Sequence, residues 1–176
     1  MNLDALARPL SVDEIDFRIQ SIFGSGWCLM LAYKDARVDM ARLDEAFGPF
    51  GWQRDYKMVG TQQMAGVAVK HEGEWVWKWD VGTESNTEKE KGLASDGFKR
   101  ACFNLGIGRE LYDYPLLLIQ LNPEEFENKG GKNRQTNKLK LKDWVWASEF
   151  EGGKITALAA KDNNGKIRYK WGKFKK

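Results

Sequence analysis

Apolar and polar positions alternate along this chain with periods that predict a mixed architecture. Ser11-Val12-Asp13-Glu14 reads as a capping box, in which hydroxyl and carboxylate satisfy orphan backbone donors. Val12, Ile15, Ile19, Ile22 and Phe23 follow at roughly helical spacing and predict a first helix over about 11–23, stopped at Gly24. Trp27–Tyr33 is a short apolar run expected as a buried strand. Ala36, Met40, Leu43 and Phe47 repeat at i, i+4, i+7 and i+11 and predict a second helix, ended by Gly48-Pro49. Three strands are expected near 51–59, 62–70 and 74–81, with turns at Gly60 and Gly73.

A long helix fits from Thr87 to about Leu105, with Ala94, Phe98, Ala101, Cys102 and Leu105 on one side. Gly92 and Gly97 inside it each cost roughly 1 kcal/mol relative to alanine, which points to close approach by another backbone. A further apolar stretch covers 116–121. Residues 144–150, 154–160 and 166–171 read as a small antiparallel meander with glycine-containing turns. The middle strands are hairpin-linked, so the expected class is α+β: an antiparallel β-meander packed against a long helix in the order α-β-α-βββ-α, followed by a basic β-rich appendage. The expected division is a core domain over 1–122, a basic linker over 123–142 and a β-meander over 143–176.

Trp75, Trp77 and Trp79 project from one face of their strand. That face must be covered, and the burial preference of indoles favours the underside of the long helix over a surface that stacks on bases or on a neighbouring subunit.

Charge changes the picture. The 176 residues carry 28 Lys+Arg and 25 Asp+Glu, a net charge of +3. Residues 1–128 hold a net −7 and residues 129–176 a net +10. A basic end on an acidic body is a footprint of nucleic-acid binding, against the plainer reading of a solvated lysine-rich tail. Two cysteines, Cys28 and Cys102, make no disulfide framework and read as reduced, inert core thiols of an intracellular protein. His71 is the only histidine, which removes Ser-His-Asp and Cys-His chemistry. The N-terminal residues lack a secretory pattern, and no apolar run is long enough to span a bilayer. No membrane association is expected.

Enzyme templates are weak. Gly106-Ile107-Gly108 follows a helix, the wrong side for a dinucleotide fingerprint, and Glu151-Gly152-Gly153-Lys154 lacks phosphate-loop spacing. Asp80, Glu84, Glu88 and Asp96 would hold magnesium only if the fold gathered them, and solvated helix-end acids explain them as well. No cofactor is expected.

The basic constellation is stronger. Lys91 and Lys99 share a face of the long helix with Arg100 alongside, a pattern equally suited to phosphate contacts or to a solvent stripe with an Asp96–Arg100 pair. Asp80-Val81-Gly82, then Lys91-Gly92-Leu93-Ala94-Ser95-Asp96-Gly97-Phe98-Lys99-Arg100-Ala101, then Gly106-Ile107-Gly108-Arg109 resembles the Rad-fifty-two-like single-strand annealing proteins, particularly their bacteriophage Sak branch. Leu10-Ser11 through Ile19 and Ala36-Arg37-Val38 through Trp52 extend the resemblance over roughly residues 10–115.

The resemblance implies an oligomeric ring or arc that binds single-stranded DNA in a basic groove and pairs complementary strands without ATP, in recombination and repair. It implies backbone contacts by Lys99 and Arg100, and by Arg37 where the second helix begins. Arg109, after the shared Gly-Ile-Gly turn, joins them. Lys89 and Lys91 complete the set, although a shorter polar loop leaves them without matching family positions. Phe103 stands where some members carry a further basic residue. Implied partners are single-stranded DNA, further copies of the chain, and a single-strand-binding protein or exonuclease; the setting is the cytoplasm of a bacterial host cell or of a bacterium. The alternatives are a single-stranded DNA-binding protein that does not anneal, a metal-dependent nuclease, and a scaffolding role.

Overall fold

The structure is a computed structural model that describes residues 2–83 and 89–175, with the backbone alone for 89–91. In chain order it contains α1 (Asp4–Ala7), β1 (Asp16–Ile22), β2 (Trp27–Tyr33), α2 (Ala36–Phe47), β3 (Trp52–Val59), β4 (Gln62–His71), β5 (Glu74–Val81), α3 (Lys89–Phe103), β6 (Leu117–Gln120), β7 (Phe126–Lys129), β8 (Lys132–Gln135), β9 (Val145–Glu151), β10 (Lys154–Lys161) and β11 (Ile167–Gly172). The class is α+β, with every sheet antiparallel. The expected N-terminal end of the long helix, at Thr87, lies outside the described residues.

Two compact units divide the chain. One is 1–10 with 34–109, the other 11–33 with 110–176. This differs from the division expected from the sequence. The expected linker carries the β7–β8 hairpin, and the expected appendage supplies Trp144, Ile155, Leu158 and Ala160 to a core shared with Cys28, Met30, Leu117 and Ile119. The C-terminal strands bury their apolar face against β2 and β6, so they are half of a domain and not a tail.

In the first unit the sheet β3-β4-β5 packs on α2 and α3 through Ala65, Val67 and Val69, against Leu43, Phe98, Ala101 and Cys102. Asp35 caps α2 by accepting from the Arg37 N–H, and Gly48, at φ 74°, ends it. The close approach expected of Gly97 is present. A Cβ there would sit 3.0 Å from the Ala65 Cβ, and one on the facing Gly82 would run into the Leu93 carbonyl oxygen.

The indole ladder is not under α3. Cross-strand register pairs Trp79 with Gly66, Trp77 with Ala68 and Trp75 with Lys70, and directly opposed residues share a face. Ala65, Val67 and Val69 turn to the helices, so the tryptophans lie on the sheet's other side. Burial preference gave way to register, because one strand cannot place both sets inward. The face covers itself only in part: a Cβ at Gly66 would stand 2.6 Å from the Trp79 ring, Trp77 stacks on Trp79 with ring centres 5.0 Å apart and Lys57 Nζ sits 3.8 Å over Trp79, while Trp75 stays 40% exposed. Gly66 and Ala68 are thereby buried beneath their neighbours' rings.

In the second unit, β1-β2-β6 and β9-β10-β11 share one apolar core. The expected first helix is here a capping-box turn followed by a strand. Ser11 N–H donates to Glu14 Oε2 at 2.9 Å, a 3-10 turn covers 12–14, and β1 begins at Asp16. Asp16-Phe17-Arg18-Ile19-Gln20 alternates with period two. Phe17 and Ile19 face the core, Phe17 stacking flat on Trp146 with ring centres 3.6 Å apart. Pairing with β2 satisfies backbone groups that the helix would have satisfied internally.

Candidate functional site

The residues singled out from the sequence gather in part where α2 meets the middle of α3 in the first unit. Asp35 organises this corner. Its carboxylate accepts from the Arg37 N–H at 2.8 Å and from Arg37 Nε at 2.9 Å. Those hydrogen bonds hold the Asp35 carboxyl below the usual carboxylate range, helped by the nearby charge of Lys99. Lys99 is half-buried on α3, and the described residues show no carboxylate within ion-pair distance of it. The Arg37 side chain is 87% exposed and presents its guanidinium outward.

Arg100 leaves the same helix in another direction. Its Nε donates to Asp96 at 2.9 Å, an i,i+4 pair, while Asp96 also accepts from the Thr83 N–H at 2.9 Å and the Thr83 hydroxyl at 3.0 Å. Burial pushes the Asp96 carboxyl up. The hydrogen bonds from Arg100 and Thr83 outweigh it and leave it below its ordinary value. Asp96 thus ties the helix to the end of β5, and Arg100 lies on the rim of that tie with its side chain 43% exposed.

Arg109 is a helix clamp. Its Nε donates to the Phe103 carbonyl at 2.9 Å and its Nη2 to the Asn104 carbonyl at 3.0 Å, satisfying acceptors at the end of α3. The side chains of Lys89 and Lys91 lie outside the described residues. So do Glu84 and Glu88 of the acidic quartet, while Asp80 accepts from Asn104 Nδ2 at 3.2 Å.

Arg54 was not singled out from the sequence. It stands on the helix-facing side of β3 with its guanidinium 5.8 Å from the Phe98 ring centre, one residue before Lys99. The alternation of Trp52, Arg54 and Tyr56 was its available signal.

Within reach of the Lys99 charge is a buried ion pair, in which the Lys34 ammonium donates to Asp39 Oδ1. Asp39 Oδ2 has no hydrogen-bond partner among the described residues. The Lys34 stem packs on Gly108, where a Cβ would stand 2.8 Å from Lys34 Cε, so the Gly-Ile-Gly turn makes room for this lysine. Burial pushes the Asp39 carboxyl up to about 6, against the opposing pull of Lys34 and Lys99. The unfolded value is about 3.9, so the folded state binds the extra proton between pH 4 and 6. Stability therefore rises as pH falls from 7.5 to 5, by about 1.4 kcal/mol. Urea titrations across that range are expected to show the rise in the wild type, and a flat profile in Asp39→Asn would trace it to this carboxyl.

Burial also raises both thiols, Cys28 to about 11 and Cys102 well above its ordinary value, in keeping with the core placement expected for them.

No family model matches the chain. It is 36% identical over 89 residues to the single-stranded DNA-binding protein DdrA of Deinococcus radiodurans, covering 49% of this chain and 42% of that protein. It is 35% identical over 101 residues to DdrA of Deinococcus deserti, 56% of this chain and 50% of that protein. With the mitochondrial genome maintenance protein MGM101 of Kluyveromyces lactis it shares 29% identity over 157 residues, 81% of this chain and 53% of that protein. The chain spans about half the length of the curated relatives it matches.

Proposed function

We propose that this chain is a single-stranded DNA-binding protein of genome repair and recombination, within the Rad-fifty-two-like single-strand annealing proteins and nearest their bacteriophage branch. The observation that carries the reading is the α2–α3 corner, where Lys99 and Arg37 flank Asp35 and Lys99 has no carboxylate partner among the described residues. An ammonium that makes no ion pair of its own among the described residues, beside an outward guanidinium, suits a phosphodiester backbone. The relatives' names, two of them single-stranded DNA-binding proteins, support the same ligand.

Lysine and arginine neutralise phosphates and release counterions, giving affinity without sequence preference. A strand held by its backbone leaves its base edges free for a complementary strand to test. Pairing supplies the specificity, so no catalytic residue or cofactor is required. Lys99, Arg100 and Arg37 carry the contact in this reading. Arg109 holds the helix end that presents them, and Lys89 and Lys91, whose side chains lie outside the described residues, are assigned to the same contact by the resemblance alone. Assembly into rings or arcs, action inside a bacterial cell, and cooperation with a single-strand-binding protein or an exonuclease belong to the same proposal.

The test is annealing of two labelled complementary oligonucleotides without ATP, across a salt series, with the mass of the protein measured on the same sample. Accelerated pairing by an oligomer supports the annealing reading. Tight binding without acceleration leaves a single-stranded DNA-binding protein, the reading that the DdrA names favour. Magnesium-dependent cleavage of the labelled strand would overturn both in favour of a nuclease.

A further inference from the structure

The second unit contains a cleft of about 780 Å³ between β1 and the segment that runs from β8 into β9. Its charged lining is one-sided. Arg18 comes from β1, Arg134 from β8, and Lys140 and Lys142 from the turn before β9, against Asp143 alone among acids. All four cations are exposed, and among the described residues none lies within ion-pair distance of a carboxylate. Even Glu127, directly across the hairpin from Arg134, makes no ion pair with it. The same unit neutralises a structural cation thoroughly, since Arg168 is buried between Glu125 and Asp162. Four exposed cations around one concavity sum to a positive potential that draws a polyanion into it.

The lining favours a single strand over a duplex. The cleft's apolar floor is the margin of the unit's own core, Ile19, Leu139 and Leu141, and the half-buried Tyr33 also lines the cleft, with the Arg18 guanidinium 5.1 Å from the ring centre. Cations beside an apolar and aromatic floor suit a strand whose bases are unstacked, with phosphates on the basic wall and base faces on the floor. A duplex keeps its base faces covered and has no use for that floor.

We infer that this cleft is a second site for single-stranded DNA, built from Arg18, Arg134, Lys140 and Lys142 and independent of the corner around Lys99. The choice of nucleic acid rests on the function proposed above; the cleft and its charge do not. A second site gives one chain the means to hold two stretches of strand, which pairing of complementary strands requires.

The experiment uses the full chain, because residues 129–176 belong to the unit's own core. Affinity for an oligothymidylate is measured across a salt series for the wild type and for Arg18→Ala/Arg134→Ala/Lys140→Ala/Lys142→Ala. Each phosphate contact contributes about 0.7 to the slope of log affinity against log salt, so the quadruple variant is expected to lose up to about 3 from that slope. Acetylation of native wild-type protein, read by mass spectrometry, checks the site without any substitution. Lys140 and Lys142 are expected to be protected by the oligothymidylate, while Lys154, exposed at the β9–β10 turn, is not. A wild type that binds strongly, with an unchanged slope in a folded quadruple variant or with Lys140 and Lys142 unprotected, overturns the cleft alone. Equal protection by duplex DNA overturns its single-strand character. A wild type that fails to bind oligothymidylate overturns both the cleft and the proposed function.

Discussion

Lys99→Ala/Arg100→Ala is expected to abolish strand annealing while the protein stays folded. The two positions contribute differently. Lys99 has no acid partner among the described residues, so its truncation removes a cation and little else, apart from the pull it exerts on Asp35 and Asp39. Arg100 also loses its pair with Asp96, an i,i+4 contact worth about 0.3–0.5 kcal/mol. Asp96 keeps both Thr83 hydrogen bonds, so the tie between α3 and the end of β5 survives.

Two lost phosphate contacts should lower the salt slope by about 1.4 for single strands. Affinity at low salt falls accordingly, and pairing rates fall with the loss of a strand held at this corner. Lys99→Arg keeps the charge and is expected to keep most of the binding. Unchanged annealing rates in a soluble, folded double variant would reject the corner as the site. Retained binding without pairing would instead assign these residues to the pairing step alone.

What the sequence revealed, and what it hid, follows the range of the interactions. The helix 36–47 is capped by Asp35 and stopped by Gly48, both signals carried by adjacent residues, and β3, β4 and β5 turn at Gly60 and Gly73. Lys99 and Arg100 were singled out by a dense local pattern and Arg37 by the resemblance that pattern carries, and the fold brings Lys99 and Arg37 to one corner beside Asp35. The segment 11–23 misled because Ile15, Ile19 and Ile22 satisfy helical spacing, while Phe17 and Ile19 also satisfy period two. Only β2, across a turn, decides between them. The tryptophan ladder was assigned to the wrong side because one strand's alternation cannot say which face its neighbours give to the helices; Gly66 and Ala68 on β4 settle that. The C-terminal residues read as a tail because the chain joins them to β1 and β2 only through non-local packing. Charge density at 129–176 was visible, but its division into a buried Arg168 and an open cleft around Lys140 and Lys142 needed the fold.

Arg168 carries the largest stability effect expected of a single substitution. Its side chain is 3% exposed, its Nη2 donates to Glu125 Oε2 at 2.7 Å and its Nη1 to Glu125 Oε1 at 2.9 Å, and the guanidinium lies 4.6 Å from the Trp144 ring centre. Asp162, at 3.4 Å, closes the cluster while accepting from the Asn164 and Lys166 N–H groups of the β10–β11 turn. Arg168→Met leaves Glu125 buried without its cation, and breaking such a pair typically costs about 3–5 kcal/mol. For a unit of this size that is a drop of about 12 °C or more in melting temperature. Arg168→Lys keeps the charge but loses the paired donation to Glu125, and should fall between the two.

Acid supplies an independent check. Burial pushes the Glu125 and Asp162 carboxyls up, but hydrogen bonds from Arg168 and from backbone N–H groups outweigh it and hold both below their ordinary values. Lowered folded values mean stability that is complete above about pH 5 and is lost as pH falls through the folded values, below about 4. The wild type should therefore weaken steeply below pH 4, and Arg168→Met should weaken less because the cluster is already broken. Asp39 in the other unit acts with the opposite sign between pH 7.5 and 5. A buried cation that outweighs the burial of its acids and a buried acid that its cation does not fully offset thus give the two units opposite responses to acid, and equal acid sensitivity of wild type and Arg168→Met would show that the cluster contributes nothing to the second.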